Sequence, residues 1–340
     1  MLLTLGYDMR APDFGSSAGR LYAAALEQCE WADRAGFTAV TFMEHHASTD
    51  GYLPSPVVLA AAAAARTRNM VINIGLMILP LYEPLRAAED LAVLDLVAGG
   101  RLYLIVGGGY REDEYEQFGL SMSERPARME HAVETLRRAW TGEPFEYQGR
   151  TVRILPRPQT PGGPPIILGG TSKAAARRAA RIADGFMPSA PRFFETYREE
   201  LARLGRPVPP PLPSEEVGPL FVHVTNDPER DWVRIAPHAL HETNDYASWG
   251  GGNPDHPYPS VRDIDGLRAS GTYLLLTPEE CVALARSRGG LFLKPLMGGL
   301  DPDLAWESLT LIESRVLPQL GVVAPPPPAP VLDRANVCKQ

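Results

Sequence analysis

Glu44, His45 and His46 stand side by side where the apolar run "TAVTFM" (38–43) ends, in a chain with only 7 histidines among 340 residues. Imidazole is the side chain whose unperturbed pKa lies nearest neutrality, so a histidine at a strand end suits proton transfer. The adjacent carboxylate of Glu44 can orient or charge such a ring. Successive residues of an extended backbone point to opposite sides, so His45 and His46 are not expected to chelate one metal together. Either ring, His45 or His46, could be the proton handler with Glu44 beside it, the other lining the pocket in support. A histidine that merely caps a strand is the competing reading.

Two glycine-rich turns could hold a ligand. In "LIVGGGYRED" (104–113), Gly107, Gly108 and Gly109 follow an apolar run and lead into Tyr110 and Arg111. Residues without a Cβ let the backbone approach a flat or phosphorylated group. In "PIILGGTSK" (165–173), Gly169 and Gly170 precede Thr171 and Ser172, which open a helix. The free N–H groups and dipole of a helix start make an anion site, and hydroxyls there add donors. A tight turn and ordinary helix capping explain the same residues without a ligand. His238 and His241 share a helix face at i, i+3, but no HExxH or acidic partner motif accompanies them. With Tyr246 and Trp249 they are read as substrate-pocket lining, and no metal site is expected. GxSxG and GxxxxGK[ST] are absent, which argues against a serine hydrolase and a P-loop NTPase.

Positioning these residues requires strands that end where they sit. Short apolar runs at 2–8, 39–43, 70–79, 101–107, 165–170, 184–189, 218–225 and 290–297 alternate with amphipathic or Ala-rich stretches at 19–36, 55–66, 84–98, 124–140, 172–183, 192–204, 228–246, 278–288 and 302–319. Several runs are apolar throughout, as in parallel strands covered on both faces. Eight such units predict an α/β fold, a (β/α)8 barrel with insertions, whose active site lies at the C-terminal strand ends. A doubly wound open sheet is the competitor, but no GxGxxG follows the first strand. The barrel is expected to be a single domain over 1–320. Residues 141–164 are read as a hairpin insertion, 247–272 as a Gly/Pro-rich lid or binding loop, and 321–340 as a Pro-rich tail.

The net charge of −8 argues against nucleic-acid and anionic-membrane surfaces as partners. Cys29, Cys281 and Cys338 form no CxxC pair or disulfide framework, and no apolar run is long enough to span a bilayer. A reducing cytoplasm is the expected location.

The chain resembles the luciferase-like flavin monooxygenase superfamily. The resemblance rests on "AGFTAVTFMEHH" (35–46), the segment from "INIGLMILP" to "EYEQFG" (72–119), "IILGGTSKAAARRAARIADGFMP" (166–188) and the closing segment 277–318. It implies a barrel that binds FMN at its C-terminal mouth, commonly as a homodimer supplied with reduced flavin by a separate reductase. Reduced flavin and O2 then oxygenate a small organic substrate. The first histidine of "EHH" is the acid/base residue of bacterial luciferase, which implies His45 here, with Glu44 also matched. The phosphate site carries over onto Gly169, Gly170, Thr171 and Ser172. A non-prolyl cis peptide beneath the flavin is implied within Gly75, Leu76 and Met77. The family's phosphate-binding arginine has no counterpart among Gly107, Gly108 and Gly109, so Tyr110 or Arg111 is the candidate replacement. A deazaflavin (F420)-dependent dehydrogenase and a non-catalytic flavin-binding protein are the alternatives the same resemblance allows. The substrate is expected to be apolar or aromatic, because Tyr246, Trp249, Tyr258, His238 and His241 would line its pocket.

Overall fold

The structure is a computed structural model and describes residues 1–212, 220–250 and 258–323. The start of the strand expected at 218–225, residues 251–257 of the 247–272 insertion and the tail beyond 323 lie outside the described residues.

The strands are β1 (Leu2–Tyr7), β2 (Ala39–Phe42), β3 (Val71–Met77), β4 (Leu102–Val106), β5 (Phe145–Tyr147), β6 (Arg150–Val152), β7 (Ile166–Gly170), β8 (Gly185–Pro188), β9 (Phe221–Val224), β10 (Tyr273–Leu276) and β11 (Gly290–Leu293). The helices are α1 (Ala18–Ala35), α2 (Pro56–Arg66), α3 (Pro84–Ala98), α4 (Glu112–Gln117), α5 (Arg125–Ala139), α6 (Lys173–Ile182), α7 (Pro191–Arg203), α8 (Pro228–Trp249), α9 (Ile264–Ser270), α10 (Pro278–Arg288) and α11 (Pro302–Leu311). Local chemistry sets many boundaries. Proline occupies the first turn of α3, where its missing N–H costs nothing, Glu83 caps the helix by accepting from Arg86 N–H, and Gly99 ends it in the left-handed region at φ 64°. Thr277 and Glu280 form a reciprocal capping box at the start of α10.

Seven parallel strands hydrogen-bond in the order β11-β1-β2-β3-β4-β7-β8, curling into a half-barrel with helices outside. The expected closed eight-stranded barrel is met only in part. β9 pairs in parallel with β10 instead, and among the described residues no ladder joins this pair to the seven-stranded sheet. The physical reason is visible at β9. Ser308 of α11 accepts from Val224 N–H at 2.7 Å, so a helix side chain takes a position a neighbouring strand would need. β10 itself was not expected, and neither were α4 and α9. Phe145–Tyr147 and Arg150–Val152 form the antiparallel hairpin expected near 141–164.

Side chains of β1, β2, β3 and β4 that face the helices, including Leu3, Leu5, Val40, Phe42, Ile72, Ile74 and Leu104, form one core with α1, α2 and α3. This packing holds the C-terminal strand ends, and so the loops after them, in a fixed relation.

One buried histidine lies away from those loops. Burial on β9 pushes His223 down from the usual 6.5 to about 4, because a charged imidazole is poorly solvated there. The unfolded chain therefore takes up this proton first as pH falls. Its contribution to stability is complete above pH 6.5 and is lost by pH 4, amounting to about 3 kcal/mol. His223→Leu should flatten denaturant-measured stability across that window; an unchanged slope would show that His223 carries none of it.

Candidate functional site

The segment after β2 is fixed on both sides. Met43 N–H donates to Tyr7 O at 3.0 Å and His45 N–H to Leu53 O at 3.3 Å. Glu44, His45 and His46 are all buried beneath the mouth of the half-barrel. Adjacent in sequence, the two imidazoles have different partners. Glu44 accepts three hydrogen bonds: from Ile78 N–H at 2.8 Å, Tyr82 O–H at 2.9 Å and His46 Nε2 at 2.8 Å. It ties His46 to the end of β3 and does not touch His45.

The carboxylate that orients His45 is Glu114 of α4. His45 Nδ1 lies 2.7 Å from Glu114 Oε1, which also accepts from His46 N–H at 2.9 Å. A carboxylate can only accept, so Nδ1 carries the proton and Nε2 is left as an acceptor. Tyr110 O–H approaches that nitrogen at 3.3 Å. Glu114 is fully buried, and its Oε2 has no hydrogen-bond partner among the described residues. Tyr52 and Trp249 each pack with their ring centroids 4.9 Å from that of His45, and Tyr246 lies beyond them at 6.1 Å.

Beside this cluster is a floor almost free of side chains. The Gly75–Leu76 peptide is cis, within the segment for which the resemblance implied such a bond. Leu76 is 37% exposed and lies against Gly107 and Gly169. A Cβ on Gly169 would fall 2.4 Å from Leu76 Cδ2, and one on Gly107 would fall 3.2 Å from Cδ1. Bare backbone around one leucine fits the face of a planar ring. Gly109 takes φ 66°, which aims the loop back toward Glu114. Thr171 and Ser172 are exposed at the start of α6, where Ser172 caps the helix by accepting from Ala175 N–H at 3.1 Å. A Cβ on Gly170 would meet Ala175 Cβ at 2.5 Å, so this turn stays open only with glycine. These residues could hold a planar cofactor with a phosphate at the helix start.

Outside the aromatic wall lies a charged layer. Arg10, fully buried at the end of β1, donates through Nη1 to Asp50 at 2.5 Å and to Asp245. His241 Nε2 contacts the same Asp50 at 2.8 Å. Burial opposes ionisation of Asp50, yet His241 and Arg10 hold its carboxyl below the usual range. Asp50, His241 and Asp245 bring possible ligand atoms within 4.8 Å of one another, but Arg10 already supplies a cation to both carboxylates. Deeper still, Lys294 sits between Asp8, at 3.1 Å, and Glu242.

The structure thus joins His45, Tyr110, Tyr246 and Trp249, while His46 turns toward Glu44 and Phe118. His241 reaches the cluster through Asp50 and Arg10. His238 donates from Nδ1 to the Gly298 carbonyl at 2.8 Å and packs against Phe14; burial pushes its pKa down. Since a carbonyl only accepts, His238 Nδ1 is the donor there. Sequence reading missed Arg10, Tyr52, Glu114 and Lys294. In the run Glu112, Asp113, Glu114 the first two side chains are exposed and Glu114 is buried beside the buried Tyr115, a difference that no residue type in the run announces.

The model of the luciferase-like monooxygenase family matches residues 9–276, most of the described chain. The chain belongs to the luciferase-like monooxygenase family. Among solved structures similar to this family member, monooxygenase RslO1 from Streptomyces bottropensis is 26% identical, with a TM-score of 0.70 over 94% of this chain and 100% of that one. The oxygenating constituent of 3,6-diketocamphane monooxygenase from Pseudomonas putida, solved with FMN, shares the fold at 20% identity and a TM-score of 0.70, over 96% and 99% of the chains. Curated relatives include the oxygenase component of flavin-dependent trigonelline monooxygenase from Acinetobacter baylyi, 27% identical over 43% of this chain and 42% of the relative. The F420-dependent glucose-6-phosphate dehydrogenase from Beutenbergia cavernae is 30% identical over 59% and 60%. The matched stretches span about half the length of the first curated relatives. No helix among the described residues is long and apolar enough to cross a membrane.

Proposed function

We propose that this chain is the oxygenase component of a two-component system, using reduced FMN and O2 to oxygenate a small apolar or aromatic substrate. The observation that carries the reading is the pairing of His45 Nδ1 with buried Glu114, which leaves Nε2 as a proton acceptor beside the glycine-bordered floor. Reduced flavin, when bound, supplies the oxygen chemistry. The protein's part is to seat the ring on Leu76, Gly75, Met77, Gly107 and Gly169 and its phosphate at Gly170, Thr171 and Ser172. His45 Nε2 takes or returns a proton at the reacting centre, and Tyr110 O–H holds that nitrogen's lone pair until substrate displaces it. Glu114 fixes the tautomer of His45. Glu44 and His46 brace the loop, and the aromatic wall of Tyr52, Tyr246 and Trp249 excludes water. The trigonelline relative is named an oxygenase component, which supports a separate reductase as partner. The proposal includes a homodimer working in the cytoplasm.

A deazaflavin-dependent hydride transfer on the same scaffold is the second reading, favoured by the F420-dependent relative. Anaerobic titration with reduced FMN and reduced F420, followed by admission of O2, separates them. Micromolar binding of reduced FMN with an altered reoxidation rate is expected. Binding of F420 alone would overturn the oxygenase reading.

A further inference from the structure

We infer that Arg10 and Arg111 select an uncharged substrate that carries a hydrogen-bond-accepting oxygen, such as an aromatic ketone, and discriminate against the corresponding acid. This deepens the oxygenase reading and rests on its placement of substrate beside His45.

Both guanidinium groups flank one indole. The Arg10 Cζ is 4.6 Å and the Arg111 Cζ 4.1 Å from the centroid of Trp249, whose ring also packs against His45. Both arginines are buried. Arg10 uses Nη1 on Asp50 and Asp245, while its Nε and Nη2 have no hydrogen-bond partner among the described residues. Arg111 binds Asp113 through Nε, at 3.1 Å, and Nη2, and its Nη1 has no hydrogen-bond partner among the described residues. Buried guanidinium N–H groups without acceptors are costly, and stacking on an aromatic ring offsets that cost only in part. They mark places where a ligand's acceptor atom improves the structure.

Charge decides which acceptor. Asp8, Asp50 and Asp245 already face Arg10, Asp113 faces Arg111, and Glu114 stands behind His45. The two arginines therefore meet four carboxylates, with Glu114 a fifth nearby, which leaves donors in supply but no positive charge to spare. A carboxylate entering here meets net repulsion, whereas a carbonyl oxygen takes the N–H groups without adding charge. The Tyr52, Tyr246 and Trp249 rings suit a flat body attached to that oxygen.

Isothermal titration of the full chain without flavin, using acetophenone against benzoate and 2-acetylnaphthalene against 2-naphthoate, tests the inference. Each ketone should bind at least about tenfold tighter than its acid, and Arg111→Leu should weaken the ketone about tenfold and narrow the ratio. Arg111→Lys, which keeps the charge but not the fork, should restore little of the loss. Equal or tighter binding of the acids, ketone affinity unchanged in Arg111→Leu, or no binding of any of the four probes overturns it. The FMN titration is read separately. If ketone selectivity holds while FMN does not bind, the oxygenase reading falls and this selectivity stands; if FMN binds and selectivity is absent, this inference alone falls.

Discussion

Replacing His45 with alanine should slow substrate turnover by about 10²–10⁴-fold while leaving the affinity for reduced FMN within about twofold of the wild type. The size follows from removing a proton-transfer group, and the selectivity follows from geometry. His45 is bonded to Glu114 and Tyr110, not to the glycine floor, so its loss leaves Leu76, Gly107 and Gly169 in place. Glu114→Gln retains a group that can bond Nδ1 but offers no charge, and should slow turnover less than His45→Ala. Groups acting as a unit are non-additive, so the double variant should be no slower than His45→Ala alone. Stopped-flow oxidation and steady-state product assays on the three variants check this. Full turnover in His45→Ala with intact flavin binding would remove His45 from the chemistry. Additive losses in the double variant would mean that Glu114 acts independently of the histidine.

The His45–Glu114 pair also shows where sequence reading stops. The strand ends, the glycine turns and the helix start at Ser172 are local patterns, visible because hydrophobic period, Cβ-free turns and caps are encoded over a few residues. Their order also carried the family resemblance. Glu114 lies 69 residues from His45, and Asp245 lies 235 residues from Arg10. No local pattern encodes such pairings, since they arise when separate loops meet at the mouth of the half-barrel. Adjacent positions misled for the same reason: Glu44 is next to His45 in the chain but bonds His46, because alternation along extended backbone sends neighbouring side chains apart. The open seam was hidden as well. β9 reads as a barrel strand from its own residues, and only the Ser308 hydroxyl on its edge, supplied by α11, shows that it pairs elsewhere.

The buried lysine behind the aromatic wall should matter to the fold as His45 matters to the chemistry. Lys294, Asp8 and Glu242 are essentially inaccessible, with Lys294 Nζ 3.1 Å from Asp8 Oδ2 and in contact with Glu242 Oε2. Burial pushes the Glu242 carboxyl up, against the pull of Lys294, and Tyr273 O–H donates to its Oε1 at 3.0 Å. Lys294→Met keeps most of the side-chain volume and removes the cation that bridges two buried acids, leaving Asp8 with Arg10 Nε at 3.9 Å and Glu242 without a cation among the described residues. Removing one partner of such a cluster costs about 3–5 kcal/mol, because the remaining charge is neither solvated nor paired. The sign of the pH dependence follows. With the cation gone, the Glu242 carboxyl, which burial already holds up, rises further above its unfolded value, so the native state binds more protons and stability falls as pH rises through that interval. The deficit relative to wild type should therefore open as pH rises past about 7, where Glu242 of the wild type ionises, and be largest at pH 8. Adding Glu242→Gln to Lys294→Met should recover part of the loss at neutral pH, since one buried charge disappears. Lys294 Nζ also lies 5.8 Å from the Tyr246 ring and 5.9 Å from that of Tyr258, so the Met variant should loosen the wall around His45 and raise KM before kcat. Urea unfolding of the three chains between pH 5 and 8 measures the effect. A pH-independent deficit would mean that lost packing, not uncompensated charge, is what the lysine prevents.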